Sequence, residues 1–278
     1  MNQNSVLDKI INVIMPLIIY LFVALFSQVG FTTFVMVTEF KSLGENGVSY
    51  RETATFVENM NNIVTSNTLS VTFITIIICI PVMIYLFRKQ RGNLTFTGEK
   101  KGLYINIFIG VFASLGISKL VTLLPIDGIL GNYSEVSKNV MSSNLPLQIV
   151  ALIILGPLME ELMFRGLIYN RIKILSDSVI AGYISSIIFG VYHMNLVQGL
   201  YTFVLGVLLA YVYERFSTLW ASYLLHAGAN AIAVIINYLP VSNVINSHWY
   251  LKIPVMLAEL AVLVVLVYKF IYIKKSKD

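Results

Sequence analysis

The sequence predicts an all-α polytopic membrane protein, a bundle of about eight transmembrane helices. Hydrophobic residues make up 57% of the 278 positions and charged residues only 12%, about half the charged fraction of an ordinary soluble domain. Apolar stretches of about 20 residues, the length that crosses a bilayer, recur along the chain. The single cysteine, Cys79, lies inside one of them, which excludes a disulfide framework and a cysteine zinc cluster.

Hydropathy divides the chain into eight candidate spans. They lie near Ile10–Val37, Thr68–Phe87, Leu103–Leu124, Leu147–Tyr169, Val179–Asn195, Gly199–Tyr213, Leu219–Leu239 and Tyr250–Ile273. We expect one integral membrane domain over residues 1–278, without an internal repeat or a soluble appendage. The longest polar stretch, 39–67, is expected to hold an amphipathic helix outside the membrane.

The positive charges predict the orientation of these spans. Loops on one side of the membrane hold only Lys41, Arg51, Lys138 and Lys252. Of the 19 lysines and arginines, 13 fall on the other side: Lys9, Arg88, Lys89, Arg91, Lys100, Lys101, Arg171, Lys173, Arg215, Lys269, Lys274, Lys275 and Lys277. The positive-inside rule places that side, with both termini, in the cytoplasm. The net charge of +5 then reflects cytoplasmic loops, and we expect a lipid bilayer and no nucleic acid as the partner. An Ile-, Asn- and Lys-rich composition favours a low-GC bacterium, and hence a bacterial plasma membrane.

Ionisable side chains at membrane depth are costly and are functional by default, and three candidate spans carry clusters that contain them. The fourth reads ILGPLMEELMFRGLIYNR, the fifth SSIIFGVYHMN and the seventh SYLLHAGANAI. Their notable residues are Glu160, Glu161 and Arg165, then Phe189 and His193, then His226 and Asn230.

Helical spacing sorts these side chains. Glu161 and Arg165 are four residues apart and share a face, where an ion pair would neutralise both. Glu160 is turned about 100° away on the same helix, so that geometry leaves it unneutralised. A buried carboxylate can act as general base for water, and a histidine with an amide one turn away, as at His226 and Asn230, can stabilise an oxyanion. Such groups could hydrolyse an amide bond, if the three helices bring them together.

The motifs Glu160-Glu-x-x-x-Arg165, Phe189-x-x-x-His193 and His226-x-x-x-Asn230, in this order, resemble those of the CAAX prenyl protease and bacteriocin-processing family, also called the Abi family. The resemblance covers residues 145–238, the predicted catalytic core of spans four to seven. It implies an intramembrane endopeptidase that cleaves a membrane-associated peptide or protein, with no departure from the motif pattern.

Carried over position by position, the resemblance implies a base at Glu160 assisted by His193. His226 and Asn230 would bind the oxyanion, and Glu161 with Arg165 would hold the fourth helix. A lipidated CAAX substrate does not follow, because bacterial members are linked to peptide maturation, bacteriocin self-immunity and regulation of membrane signalling. The sequence does not indicate an oligomeric state.

Other interpretations remain open at this stage. Glu160, His193 and His226 could form a His₂Glu zinc site, although the chain has no H-E-x-x-H pair; we favour hydrolysis without a cofactor. A non-catalytic membrane regulator or scaffold that binds a signalling or transport partner is the alternative from another class. A transporter would also use buried Glu and His, but it would predict inverted repeats.

Two further charges lie within predicted spans. Lys119 is expected to reach the interface with its long side chain. For Glu259 three states are open, namely pairing with Arg165, pairing with Lys119, or a protonated carboxyl.

Overall fold

The protein is described by a computed structural model that covers residues 6–42, 50–91, 103–121, 123, 138–239 and 248–272. Within these ranges the chain forms helices joined by short connections, and no strand occurs in them. The all-α polytopic membrane fold predicted from the sequence is confirmed. Many of the loop and terminal cations used to predict orientation, Lys100 and Lys275 among them, lie outside the described ranges.

We number the helices in chain order. They are α1 (Val6–Ser42), α2 (Tyr50–Ser66), α3 (Thr68–Arg91), α4 (Ile105–Val121), α5 (Leu145–Leu175), α6 (Ser178–Tyr192), α7 (Leu196–Phe216), α8 (Leu219–Asn237) and α9 (Trp249–Leu266, continued as a π-helix over Val267–Tyr272).

Eight of these helices correspond to the eight predicted spans. Six of them, α1, α3, α5, α7, α8 and α9, are long and apolar enough to cross a membrane, and α4 and α6 are shorter apolar helices. The count of eight crossings therefore stays a prediction. The helix α2 is the amphipathic helix predicted in the polar stretch, and it packs against α1 and α3.

Small residues bring α4 and α8 into backbone contact. A side-chain carbon added at Gly110 of α4 would collide with the main-chain oxygen of Leu225, and one added at Gly228 of α8 would collide with that of Ile107. Close approach through small residues is the usual way in which membrane helices associate, because lipid gives no hydrophobic force between them. Gly228, in the span that carries His226 and Asn230, is thus a point of tight helix packing.

A largely buried ion pair connects α9 to α4. Lys119 Nζ donates to both carboxylate oxygens of Glu259, at 2.8 and 2.9 Å. Both side chains are largely buried, with 8% and 12% of their surface exposed. The ammonium group of Lys119 thus has a carboxylate partner on a neighbouring helix, and the expectation that its side chain reaches the interface stays a prediction. Of the three states open for Glu259, the structure shows pairing with Lys119.

We predict that Lys119→Met destabilises the protein by about 3–5 kcal/mol, because it leaves the carboxylate of Glu259 buried and uncompensated. The double variant Lys119→Met/Glu259→Leu should recover most of the loss, since both charges are then gone. Thermal unfolding in detergent measures both. Lys173→Met is the control, because its pair with Glu214 is about 40% exposed on both sides and exposed pairs contribute about 0–1 kcal/mol. Equal losses in the single and double variants would contradict the prediction.

Candidate active site

The helix that carries the two adjacent glutamates is not a regular α-helix. Two stretches of α5, Ile149–Leu155 and Leu162–Tyr169, are π-helical, and a short α-helical segment, Gly156–Glu161, lies between them. Proline at the second position of that segment has no N–H group to continue the preceding hydrogen-bond ladder. Wide turns of this kind often occur at functional sites, because they redirect side chains from the ordinary helical register.

Glu161 is the central acceptor of a buried network. Its Oε1 accepts from Arg165 Nη1 at 3.0 Å and lies 2.9 Å from His226 Nδ1. The side chains of Glu161 and Arg165 are fully buried, so the ion pair predicted from their spacing is present. Because a carboxylate flanked by a guanidinium accepts hydrogen bonds, Nδ1 of His226 is the protonated nitrogen.

Arg165 ties three helices together. In addition to Glu161, its Nη2 donates to the main-chain oxygen of Gly206 in α7 at 3.0 Å. Its guanidinium carbon lies 4.8 Å from the ring centre of Phe189 in α6, within the range of a cation–π contact. The sequence predicted the bond within α5, but it held no signal for the carbonyl of Gly206.

Glu160 has a different environment from its neighbour. Its side chain is 16% exposed, and its Oε2 lies 3.5 Å from His226 Nε2. His226 therefore stands between two carboxylates, with Glu161 on one ring nitrogen and Glu160 on the other. If His226 carries protons on both nitrogens, the charges of Glu160, Glu161, Arg165 and His226 sum to zero.

His193 directly follows α6. Its Nδ1 lies 2.8 Å from the main-chain oxygen of Phe189. A carbonyl oxygen only accepts, so Nδ1 donates, which fixes the tautomer and leaves Nε2 as the nitrogen that can exchange a proton.

The ring of Phe189 lies between the two histidines. It makes edge-to-face contacts with His193 at 4.9 Å and with His226 at 5.7 Å between ring centres, and with Phe164 at 4.8 Å. Phe189 is fully buried. One aromatic ring thus holds both imidazoles and the guanidinium of Arg165 in place.

Asn230, the last of the predicted site residues, lies on α8 one turn after His226. Its side-chain Nδ2 donates to the main-chain oxygen of Leu152, in the first π-helical stretch of α5, at 2.8 Å. The amide has a second N–H, which this bond does not use.

Two tyrosines extend the cluster in a way that the sequence motifs did not predict. Tyr20 of α1 packs against Tyr192 with ring centres 5.2 Å apart, and Tyr192 contacts the rings of Phe164 and His193. Tyr192 directly precedes His193 in the chain, and this adjacency could have indicated that it lies near the site. The contribution of α1 was not visible, because Tyr20 lies in an otherwise apolar segment.

The alternative zinc site would require Glu160, His193 and His226 as ligands. Across the described ranges, the structure contains no group of three His, Cys, Asp or Glu side chains arranged to hold a metal ion. Nδ1 of His226 and Nδ1 of His193 are engaged by Glu161 and by a carbonyl, respectively. Both Nε2 atoms remain for chemistry, and that of His226 lies 3.5 Å from Oε2 of Glu160.

Comparison with known proteins finds two sequence matches. Residues 142–232, from just before α5 into α8, match the family model described as Type II CAAX prenyl endopeptidase Rce1-like. The chain is also 29% identical over 184 residues to the Bacillus subtilis (strain 168) protein named "Putative membrane peptidase YdiL", an alignment that covers 63% of this chain and 74% of that protein. No solved structure matches the chain.

These findings define a multi-pass membrane protein of the intramembrane protease class. The segment that carries the three motifs is thus similar to the CAAX prenyl endopeptidases, and the resemblance seen in the sequence is confirmed.

We predict that Phe189→Ala destabilises the protein by about 3–5 kcal/mol, the cost of deleting a buried aromatic ring. Phe189→Leu should retain much of the folded yield, because it keeps most of the volume, yet it removes the π face that contacts Arg165 and the histidines. Folded yield and thermal unfolding in detergent measure this difference. Phe22→Ala is the control, since Phe22 is 61% exposed on α1. A Phe189→Ala protein as stable as the control variant would refute the supporting role of this ring.

Proposed function

We propose that this protein is an intramembrane endopeptidase in which Glu160 activates water to hydrolyse a peptide bond of a membrane-associated peptide or protein. The supporting observation is the contrast between the adjacent carboxylates. Glu161 is fully buried, and Arg165 and His226 compensate its charge. Glu160 is partly exposed and faces Nε2 of His226. A carboxylate that water can reach, next to a fixed hydrogen-bond donor, suits a general base.

The first step of the proposed reaction moves one proton. Glu160 takes it from a water molecule, and the resulting hydroxide oxygen forms a bond to the carbonyl carbon of the scissile peptide. Negative charge then collects on the former carbonyl oxygen. Doubly protonated His226 would donate from Nε2 to this oxyanion, and Asn230 would donate from its second amide N–H.

The second step breaks the carbon–nitrogen bond. The proton held by Glu160 passes to the leaving amine nitrogen, and Nε2 of His193 can share or relay it. The products are a new carboxyl terminus and a new amine. In this scheme Glu161 and Arg165 do not react; they set the position and the charge of His226.

The proposed substrate class rests on the site's place among helices that are apolar enough to cross a membrane, where a membrane-associated polypeptide would have access. Peptide maturation or bacteriocin self-immunity are cellular roles in which such cleavage would serve. CAAX substrates are named in the description of the family model and are not part of this proposal.

We predict that Glu160→Gln lowers the turnover rate by about 10²–10⁴-fold, the contribution that general-base catalysis typically makes. The folded yield should be unchanged. Glu214→Gln is the matched control, because Glu214 bonds Lys173 and Tyr169 away from the site. Mass spectrometry would compare the newly formed polypeptide termini in membranes from cells that express each variant. A peptide that spans a cleavage site found only when Glu160 is present then serves as the substrate for assays of the purified protein. If Glu160→Gln produces the same new termini as the wild type, the glutamate-base mechanism is wrong. If no terminus depends on the protein at all, the non-catalytic regulator is favoured.

The same assay tests the zinc alternative. We expect protein freed of metal by exhaustive chelation and checked by elemental analysis to keep its full rate on a peptide identified in this way. A rate that falls on chelation and returns with stoichiometric Zn²⁺ would instead support Glu160, His193 and His226 as metal ligands.

We further propose that both termini lie in the cytoplasm of a bacterial plasma membrane. Reporter fusions that distinguish the two sides should place Gly47 outside and Gly98 inside, because the cations concentrate on the side of Gly98. The reverse result would invert the orientation and also the side from which a water-soluble part of the substrate reaches Glu160.

A further inference from the structure

The main-chain oxygen of Leu152 lies where α5 cannot satisfy it by itself. In an α-helix this oxygen would accept from the N–H of residue 156, and in a π-helix from the N–H of residue 157. The N–H of Gly156 donates to Ala151 instead. Residue 157 is proline, which has no N–H. Neither of these two main-chain donors therefore serves Leu152.

The glycine beside this proline helps to fix the register. A side-chain carbon at Gly156 would come within 2.5 Å of the oxygen of Ala151, the same oxygen that accepts the N–H of Gly156. Any larger residue would push this turn out of the π-helical geometry. Gly156 and Pro157 thus create both the wide turn and the carbonyl that lacks a helical donor.

A side chain of another helix supplies the missing donor. Asn230 Nδ2 of α8 donates to Leu152 at 2.8 Å. A backbone oxygen without a partner is unfavourable among membrane helices, and this bond is part-buried. This bond therefore compensates for the break that Pro157 makes in the ladder.

The position of this bond links it to the catalytic segment. One turn before Asn230, His226 contacts Glu161 and Glu160. The helix α8 therefore holds α5 at two points, one at Leu152 before the segment Gly156–Glu161 and one at the two glutamates that end it. The distance between Glu160 and His226 depends on both.

We propose that Asn230 is a positioning residue in addition to its proposed oxyanion role: its amide replaces the N–H that Pro157 lacks and holds α5 in the broken register that presents Glu160 to His226. The catalytic consequence rests on the proposed function, but the structural link does not. One N–H of the amide serves Leu152, and the other stays available to the substrate.

A double-mutant cycle tests the link without an activity assay. Asn230→Leu should lower the thermal unfolding midpoint in detergent by about 2–4 °C, as expected for one stranded buried carbonyl. Pro157→Ala restores a main-chain N–H that can reach Leu152, so in that background Asn230→Leu should cost less than half as much. Pro81→Ala in α3 and Asn237→Leu at the exposed end of α8 are the controls, and their combinations with the test variants should be additive. Equal losses from Asn230→Leu in both backgrounds would overturn the proposal.

A second measurement keeps the proposal falsifiable if Pro157→Ala does not fold. In solid-state NMR of protein with ¹⁵N in asparagine side-chain amides and ¹³C in leucine carbonyls, a through-space contact should be present in the wild type and lost in Asn230→Leu. The bond from Asn106 Nδ2 to Leu103, at 3.0 Å, provides a reference contact that should persist. If Asn230→Leu removes no contact, Asn230 does not hold Leu152.

Kinetics separate positioning from the oxyanion role. On a peptide whose cleavage depends on Glu160, Asn230→Leu should lower kcat far more than it raises KM, with a smaller fold-loss in kcat in the Pro157→Ala background. If Asn230→Leu lowers kcat by the same factor in the wild-type and Pro157→Ala backgrounds, Asn230 acts on the oxyanion and does not position α5. Absence of any peptidase activity would refute the proposed function, while the unfolding and NMR results would still decide the structural link.

Discussion

The arrangement of the site depends on one oxygen atom, Oε1 of Glu161. A fully buried carboxylate is stable only with close compensation, and the two groups that provide it come from different directions. Arg165 approaches from the same helix and His226 from α8. Arg165 in turn reaches Gly206 in α7 and the ring of Phe189 in α6. Satisfying this one charge therefore fixes the relative positions of four helices.

The same constraint explains why the two adjacent glutamates have different environments. Neighbouring side chains on a helix point about 100° apart, so Glu161 enters the network while Glu160 faces outward from it. His226 contacts both through opposite ring nitrogens. Glu161 thereby sets the orientation of the His226 imidazole, which also contacts Glu160. A carboxylate–imidazole pair of this kind controls which nitrogen is free for chemistry.

Features that depend on local spacing could be predicted from the sequence, whereas contacts between helices could not. Hydropathy located the spans, and the four-residue spacing of Glu161 and Arg165 predicted their ion pair. The contact of His226 with Glu161, the carbonyl partner of Asn230 and the pairing of Lys119 with Glu259 all depend on which helices are neighbours. The π-helical stretches were also not predicted, because a Gly-Pro pair inside an apolar run indicates a local irregularity without specifying its hydrogen-bond register.

Polar contacts have an organising role here that apolar packing cannot supply. Lipid tails solvate apolar helix surfaces as well as another helix does, so association of membrane helices depends on close packing and on hydrogen bonds. The backbone contact of α4 and α8 through Gly110 and Gly228 is an example of close packing. The hydrogen bonds from α8 to α5 specify in addition which residues of the two helices lie opposite each other. An irregular backbone persists in a membrane only where neighbouring side chains satisfy it. The broken helix that presents Glu160 can exist because α8 both packs closely in the bundle and carries donors at the two positions that α5 requires.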